Sequence, residues 1–355
     1  MVALIRALPP RFEKSVAFLC TGGPVAQELA GAGIPVHVLG MRRAYDPRGA
    51  LELYRLVRRL RCDVVHDHSS MAVAPILALG LGGIPLVVTE HLALAPRRLD
   101  QRLSYRLLSR FVDCFIANSR VTRDELLAHG VATDKVRVIY HGLEPGASPS
   151  HAEARRALGA GDVIADPLVG FVGRLEPEKG CRQFVAVAAQ VAAAVPQARF
   201  VVAGDGSERA AVVADIAAAG LRERIDLLGN VSDIERIYPA FDVMVSTSER
   251  ETFGLAMLEA MAAGVAVAAF SVGGAGELIE AGAGVAVAPG DVTAMAAAVI
   301  DLLRDGGRRQ AIGVQARARV AARFSAAHMA AEVAEVYDSV CGRKASPHRD
   351  QGERR

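Results

Sequence analysis

Two short motifs in the C-terminal half contain the residues best suited to chemistry. The first is VGRLEPEKG at residues 172–180, in which a predicted buried strand ends at Gly173 and a helix follows Gly180. Arg174 and Lys179 lie in the turn between them. Backbone N–H groups and the positive end of a helix attract an anion at such a turn, and two cations there could neutralise a diphosphate. The alternative is an ordinary basic surface turn.

The second motif is SERETFGLAMLEAMAAG at residues 248–264. Glu251 falls in the loop after a predicted strand, and Glu259 lies about a turn inside the helix that Phe253 and Gly254 open. An unpaired carboxylate within an apolar run would be costly, which favours a functional role for Glu259 over a solvated helix face. Glycine allows a phosphate to approach the backbone. A carboxylate can also accept hydrogen bonds from two neighbouring sugar hydroxyls.

Together these motifs resemble the family-4 retaining glycosyltransferases, which have the α/β fold called GT-B: two doubly wound Rossmann-like domains facing a central cleft. The family's marks are an Arg–Lys pair in a GRxxxxKG turn and two glutamates in ExFGLxxLEAMAxG, and this chain contains both. The resemblance continues through VGGAGELI (272–279) and VAPGD (287–291). It implies metal-independent, retaining transfer of a sugar from a nucleotide-sugar donor, UDP- or GDP-linked, to an acceptor hydroxyl, with no cofactor.

The resemblance also assigns roles to single residues. Arg174 and Lys179 would hold the donor diphosphate and assist its departure. Glu259 would bind the ribose hydroxyls, and Glu251 would contact the donor sugar near the reacting centre. GDGSER is not predicted to bind a dinucleotide, because an arginine replaces the third glycine of that fingerprint. The remaining donor-site candidates are Phe253, Gly254, Leu255, Gly204 and Gly206.

The N-terminal half resembles the family less closely. HDH at 66–68 and TEH at 89–91 each follow a predicted strand. The family often has a histidine at the second place, so His91 is the catalytic candidate of this half, with His66 and His68 as alternatives. A structural role at a strand end is the competing interpretation for each. Asn118–Ser119 fits the family's cleft edge, whereas YHG (140–142) replaces the usual Asn-Gly and would alter the loop between domains.

The elements that must position these residues form two series. Short β-rich runs alternate with helical ones before Leu143 and again after Pro167, a pattern that indicates βαβ units and parallel sheets. The segment between is rich in Gly, Pro, Ala and Ser and indicates a domain junction. The sequence therefore predicts an N-terminal acceptor-side domain (1–146), a linker (147–166), a donor-binding domain (167–324), a C-terminal helix packing back toward the first domain (325–341) and a disordered tail (342–355).

The beginning of the chain departs from the family. The first predicted strand, SVAFLC at residues 15–20, matches the family's second strand. The central first strand and its Gly-Gly loop are therefore expected to be missing, which would leave backbone groups unpaired. A start codon assigned too late is the favoured explanation, with a truncated chain and a substitute element as alternatives.

Composition narrows the partners. The net charge of +2 argues against nucleic acid, which attracts strongly basic domains. Five cysteines without a CxxC pair indicate reduced thiols and a cytoplasmic protein. The basic runs 41–61 and 96–110 could contact the inner face of a membrane, or could be solvated helix faces. A glycan or lipid-linked acceptor in cell-envelope polysaccharide or glycolipid synthesis is expected; a nucleotide-sugar epimerase and a catalytically impaired binding protein are the alternatives.

Overall fold

Twelve short parallel strands in the described residues carry the loops that hold the predicted site. The computed structural model divides the chain into two compact units, Met1–Gly142 with Ala326–Arg355, and Leu143–Ser325. Each unit is an α/β structure in which helices cover parallel strands, as the alternation of the sequence predicts. The structure describes residues 1–42, 46–68, 83–91, 105–107, 109–144, 146, 148–158 and 166–345.

The first unit contains the first six of these strands in two sheets, one ordered β1-β2 and the other β3-β4-β5-β6. Every pair is parallel. The strands are β1 (Val16–Phe18), β2 (Val36–Val38), β3 (Val65–Asp67), β4 (Leu86–Glu90), β5 (Cys114–Ala117) and β6 (Val136–Val138), and the helices are α1 (Val2–Ala7), α2 (Gly23–Gly31), α3 (Pro47–Leu60), α4 (Arg120–Ala128) and the C-terminal helix (Ala326–Ala345).

The two faces of β4 are buried by different helices. Val88 points into a cluster that includes α3 and α4, whereas its neighbour Val87 packs with α1 and the C-terminal helix. This alternation follows from the two-residue period of a strand. The C-terminal helix thus contributes to the core of the first unit, and it reaches Ala345, beyond the end expected at residue 341.

Strands β1 and β3 are not joined by a hydrogen-bonded ladder in the part of the chain that the structure describes. Ala17 of β1 and Val65 of β3 nevertheless belong to the same apolar cluster. That the family's central first strand is missing from this half stays a prediction. The basic run 96–110 lies largely outside the described residues.

The second unit contains one sheet, in the order β12-β11-β10-β7-β8-β9, with all strands parallel. Its strands are β7 (Leu168–Val172), β8 (Arg199–Ala203), β9 (Ile225–Gly229), β10 (Val243–Ser246), β11 (Ala266–Phe270) and β12 (Val285–Val287). Its helices are α5 (His151–Ala157), α6 (Cys181–Ala194), α7 (Arg209–Ala218), α8 (Leu255–Ala262), α9 (Ala275–Leu278), α10 (Val292–Arg304) and α11 (Gly306–Arg323).

The strand order of the second unit places a topological switch between β7 and β10. From β7 the chain proceeds to β8 and β9 on one side, and then returns to β10 on the other. Loops at such a point diverge, so a crevice opens beyond the carboxyl ends of the two strands, where open α/β sheets bind ligands. The two motifs singled out in the sequence follow β7 and β10.

Helix α5 lies in the segment predicted to be a linker, and it is fixed to the second unit. Ser150 and Glu153 form a capping box at its start. Buried Arg155 donates to the carbonyl of Ala240 and pairs with Asp242 at 2.5 Å. No helix within the described ranges of either unit is long and apolar enough to cross a membrane.

Candidate active site

The loops after β7 and β10 are fastened to each other at the switch point. The hydroxyl of Thr247 donates to the carbonyl of Gly180 at 2.8 Å, and the amides of Glu249 and Arg250 donate to the carbonyl of Glu178. Gly180 has a φ of 63°, and a Cβ there would overlap the carbonyl oxygen of Thr247. Only glycine allows this approach. The turn that carries Lys179 is therefore held by backbone contacts.

Lys179 and Glu251 meet in this crevice. Lys179 Nζ donates to Glu251 Oε2 at 2.6 Å, and the side chains are 21% and 13% exposed. The ammonium group has three donors, so it can keep this bond and still donate to oxygens of a diphosphate. Arg174 instead pairs with Glu178 at 2.9 Å, and its side chain is 67% exposed. The structure thus brings two of the predicted residues into contact and leaves Arg174 at the surface of the same turn.

Two helices begin beside this ion pair without a side-chain cap. Gly180 is the N-cap of α6 and Gly254 is the N-cap of α8, and neither helix start receives a side-chain hydrogen bond. The first amides of a helix have no partner within it, so they and the helix dipole favour a bound anion. Leu255, the first residue of α8, is half exposed. The Phe253 ring is buried against Phe324, so Phe253 anchors the loop after β10 to the core of the unit.

Two adjacent glycines in the loop after β11 fix the position of Glu251. The amide of Gly274 donates to the carbonyl of Glu251 at 3.1 Å. A Cβ on Gly273, whose φ is 50°, would overlap that same carbonyl oxygen, and one on Gly274 would overlap the carbonyl oxygen of Thr252. The loop after β11 therefore supports the loop after β10 that carries Glu251. The sequence motif VGGAGELI had been matched to the family, but this supporting role was missed.

Gly204 and Gly206 adjoin the turn that carries Arg174. A Cβ on Gly204 would overlap the carbonyl oxygen of Gly173, and one on Gly206 would overlap that of Leu175. The amide of Leu175 also donates to the carbonyl of Asp205. These contacts account for both glycines through the packing of neighbouring loops. Their predicted position beside the nucleotide stays a prediction.

Glu259 has a partner that sequence reasoning missed. The hydroxyl of Tyr238 donates to Glu259 Oε2 at 2.7 Å, and the Tyr238 side chain is fully buried. Burial raises the pKa of Glu259; the Tyr238 hydrogen bond opposes this shift, and the charge of Glu235 adds to it. Both residues line a cavity of about 1260 Å³ within the second unit, whose walls do not include Lys179 or Glu251.

In the first unit, four histidines gather at the ends of β3, β4 and β6. His68 Nδ1 lies 3.1 Å from His91 Nε2, and the rings of His91 and His141 are stacked 5.4 Å apart. The rings of His66 and His68 lie 4.1 Å apart. The three predicted histidines are thus neighbours. His141 joins them from the YHG sequence that departs from the family pattern, and no local spacing in the sequence had signalled this contact.

The histidine cluster (His66, His68, His91 and His141) is neutral near pH 7. Burial lowers the pKa of His66 and His141 to about 3 and that of His91 to about 4, and the neighbouring histidines add to these shifts at His66 and His141. His66 is held between Thr89 and Tyr337, at 2.6 and 2.7 Å.

The two residues placed at the cleft edge have different positions. Asn118 Nδ2 lies 3.4 Å from His141 Nε2, so Asn118 contacts the histidine cluster. The Ser119 hydroxyl accepts from the amide of Thr122 and caps α4.

Comparisons with known proteins show the family of this chain. The model of the glycosyl transferases group 1 matches residues 163–319, and that of glycosyltransferase family 4 matches residues 1–146. A D-inositol 3-phosphate glycosyltransferase of Thermobispora bispora is 32% identical over 94% of this chain and 82% of its own length. The chain belongs to the group 1 glycosyltransferases. A 2-deoxystreptamine glucosyltransferase of Streptomyces kanamyceticus is 28% identical over 86% of this chain and 85% of its own.

Solved structures extend the comparison to the fold. Anabaena HepE in complex with UDP and glucose matches with a TM-score of 0.83 and 26% identity, covering 95% of both chains. Sucrose-phosphate synthase of Thermosynechococcus elongatus, at 23% identity and a TM-score of 0.73, covers 84% of this chain and 78% of its own, and shows the fold alone. The fold is GT-B, and this group 1 glycosyltransferase uses a nucleotide sugar as donor. No three His, Cys, Asp or Glu side chains of the described residues are grouped as metal ligands.

Proposed function

We propose that this glycosyltransferase retains the anomeric configuration, requires no metal ion, and takes its sugar from a UDP- or GDP-linked hexose donor. The observation that carries the proposal is Lys179, held at the switch point between two helix N-termini that lack side-chain caps. A lysine, an arginine on the same turn and two helix dipoles can stabilise a departing diphosphate without Mg²⁺. A HepE structure that contains UDP supports a uridine donor.

The proposed reaction uses these residues as follows. The acceptor oxygen forms a bond to the anomeric carbon on the face from which the diphosphate leaves, while the bond between that carbon and the phosphate oxygen breaks. The departing phosphate takes the acceptor's proton. Lys179 and Arg174 stabilise the charge that develops on the diphosphate. Glu251 contacts the donor sugar, Glu259 binds the ribose hydroxyls, and His91, neutral near pH 7, exchanges a hydrogen bond with a substrate hydroxyl.

Titration calorimetry of the protein with UDP, GDP and ADP, without Mg²⁺ and with EDTA present, tests the donor site. One of the three should bind, and adding Mg²⁺ should change its affinity little. Failure of all three would refute the donor-site assignment. A strict requirement for Mg²⁺ would refute metal independence. Product analysis by NMR then reports the anomeric configuration, and incubation without an acceptor separates transfer from epimerisation.

Two alanine variants test the division of roles between the glutamates. Glu259→Ala should weaken nucleotide binding, whereas Glu251→Ala should mainly lower turnover. Glu223→Ala is the matched control, because Glu223 is an exposed glutamate that precedes β9, an edge strand of the same sheet. Equal losses of nucleotide affinity in the first two variants would contradict the separate roles.

We also propose that the enzyme is cytoplasmic and contacts the inner face of the membrane through α3, where it would meet a lipid-linked or glycan acceptor of the cell envelope. The exposed side of α3 contains four arginines, one glutamate and a half-exposed leucine. A basic amphipathic helix of this kind is attracted to anionic lipids. The residues on the exposed side of α3 are Arg48, Arg55, Arg58, Arg59, Glu52 and Leu51.

Sedimentation with vesicles of phosphatidylglycerol and phosphatidylethanolamine tests this contact. Each arginine near an anionic surface contributes about 1 kcal/mol, or roughly fivefold in affinity. Arg55→Glu and Arg59→Glu should therefore each reduce binding at least about fivefold, while Arg222→Glu, an exposed arginine of the second unit, should not. Equal binding by all the variants would remove the support for membrane contact.

A further inference from the structure

The carboxylate of Glu259 is engaged on one side only. Oε2 accepts the hydrogen bond from Tyr238, whereas Oε1 has no hydrogen-bond partner in the residues that the structure describes. Glu259 lies on the wall of the 1260 Å³ cavity, so the carboxylate is not sealed into the core. One oxygen is thus held by the protein and the other is left to accept a donor from outside it.

Tyr238 is a rigid donor. Its ring is fully buried and meets the ring of Phe241 edge to face, with centroids 6.3 Å apart. The short helical turn that contains Tyr238 is fixed through its carbonyl groups: His151 bonds to that of Pro239 at 3.0 Å, and Arg155 donates to that of Ala240 at 2.7 Å. A tyrosine held in this way can orient a flexible side chain that bonds to it.

We propose that Tyr238 is a positioning residue for donor binding: its hydroxyl fixes the Glu259 carboxylate so that Oε1 meets the ribose hydroxyls of the nucleotide. The inference rests on the proposed function, which places the ribose at Glu259. A glutamate side chain loses rotamer freedom when it binds a ligand, and a partner that fixes it beforehand lowers the entropic cost of binding.

The hydrogen bond also favours the ionised form of the carboxylate, which is the form that ribose requires. An ionised carboxylate only accepts hydrogen bonds, which suits two neighbouring hydroxyl donors. Burial raises the pKa of Glu259 and favours its protonated form, while the Tyr238 hydroxyl opposes this shift. Burial and the neighbouring Glu259 also raise the pKa of Tyr238, so its hydroxyl stays protonated and remains a donor.

The experiment compares Tyr238→Phe with the unaltered protein by calorimetry, using UDP, 2′,3′-dideoxy-UDP and inorganic pyrophosphate; GDP or ADP and its dideoxy analogue replace UDP if that base is preferred. The unaltered protein should prefer UDP over the dideoxy analogue. Tyr238→Phe should weaken UDP by about three- to tenfold, within the range for the net contribution of a typical hydrogen bond. The affinities for the dideoxy analogue and pyrophosphate should change by less than about twofold.

A second background keeps the test decisive. If Tyr238 acts through Glu259, Tyr238→Phe should add nothing to the loss caused by Glu259→Ala, since residues that act as a unit are not additive. Tyr54→Phe, in α3 of the first unit, is the control for loss of a tyrosine hydroxyl elsewhere. Equal weakening of UDP and the dideoxy analogue by Tyr238→Phe, or additive losses in the double variant, would overturn the inference.

The outcomes separate this inference from the function on which it rests. If the unaltered protein binds none of the nucleoside diphosphates, the donor-site assignment itself fails. If it binds UDP with a ribose preference that Glu259→Ala removes and Tyr238→Phe retains, the donor site stands and only the role of Tyr238 fails.

Discussion

The two units use different kinds of contact to hold the residues at the ends of their strands. In the second unit, Lys179 and Glu251 are placed by loops whose backbones touch at Gly180 and Gly273, where any side chain would overlap a carbonyl oxygen. In the first unit, the histidine cluster is held by contacts between the side chains themselves. The site of the second unit depends on the absence of side chains at particular positions, whereas the histidine cluster of the first unit depends on the presence of particular rings.

This difference has a consequence for substitution. Backbone contacts at a positive φ admit almost no residue except glycine, so they produce short motifs with fixed spacing. Contacts between imidazole rings can be replaced one at a time, and they join residues from separate strands. The second unit should therefore be sensitive to single added methyl groups, and the first unit should be sensitive to protonation.

The largest expected effect comes from a methyl group at Gly273. Gly273→Ala must place a Cβ onto the carbonyl oxygen of Glu251 at a φ of 50°, so the loop after β10 has to move. We expect a loss of at least about 2–3 kcal/mol in the free energy of unfolding, since strain at a positive φ and a backbone shift add together. Binding of UDP should fall by more than tenfold. Urea unfolding and calorimetry measure the two effects.

Gly290→Ala is the matched control for this prediction. Gly290 has a φ of 78°, but a Cβ there would meet nothing within 4 Å. It should therefore cost only the conformational strain, about 1–2 kcal/mol, and leave nucleotide affinity unchanged. If both alanine variants behave alike, the close approach of the loops does not matter and the contrast between the units is lost.

Acidification should affect the first unit more than the second. The pKa of His66 and His141 is about 3 in the folded chain and near 6.5 in the unfolded chain. Between these values the unfolded chain binds more protons, so stability is complete above about pH 7 and falls as the pH drops through 6.5. Each of these two histidines accounts for up to about 1.4 kcal/mol per pH unit, or roughly 2 kcal/mol between pH 6.5 and 5.

Amide hydrogen exchange at pH 7 and pH 5, corrected for intrinsic rates, measures this effect strand by strand. Protection of β4 and β5 should fall more than that of β7 and β8. His66→Asn should flatten the pH dependence of the first unit, whatever it does to stability at pH 7. The second unit has one histidine of lowered pKa, His151, for comparison. Equal acid sensitivity in both units would show that the histidine cluster does not govern stability.

The same contrast explains how much could be predicted from the sequence. The alternation of apolar runs predicted the parallel sheets of both units, because parallel strands covered by helices read as short apolar runs between helical segments. Lys179 and Glu251 were also predicted as members of one site, since motifs imposed by backbone contacts remain local in the sequence. Their direct ion pair could not be read from the sequence, because it depends on the switch between β7 and β10.

Other contacts were missed because they are made by side chains far apart in the sequence. Tyr238 and Glu259 are separated by a strand and a loop, and the hydrogen bond between them depends on how a short helical turn packs beside α8. His141 contacts His91 although it follows a different strand of the sheet. Neither contact has a periodicity or a fixed spacing, so tertiary packing alone decides it.

The smallest expected effect distinguishes two ion pairs, Lys179–Glu251 and Arg174–Glu178. It tests whether the rigid backbone of the loops after β7 and β10 strengthens a contact between charges. In double-mutant cycles, Lys179→Met with Glu251→Gln should give a coupling of about 1–3 kcal/mol in the free energy of unfolding, because both side chains are largely buried. Arg174→Met with Glu178→Gln should give less than about 0.5 kcal/mol, since water screens that exposed pair. Equal couplings would mean that the loops hold Lys179 no more firmly than the solvent-exposed arginine, and that the backbone contacts at Gly180 and Gly273 shape the crevice without fixing its charges.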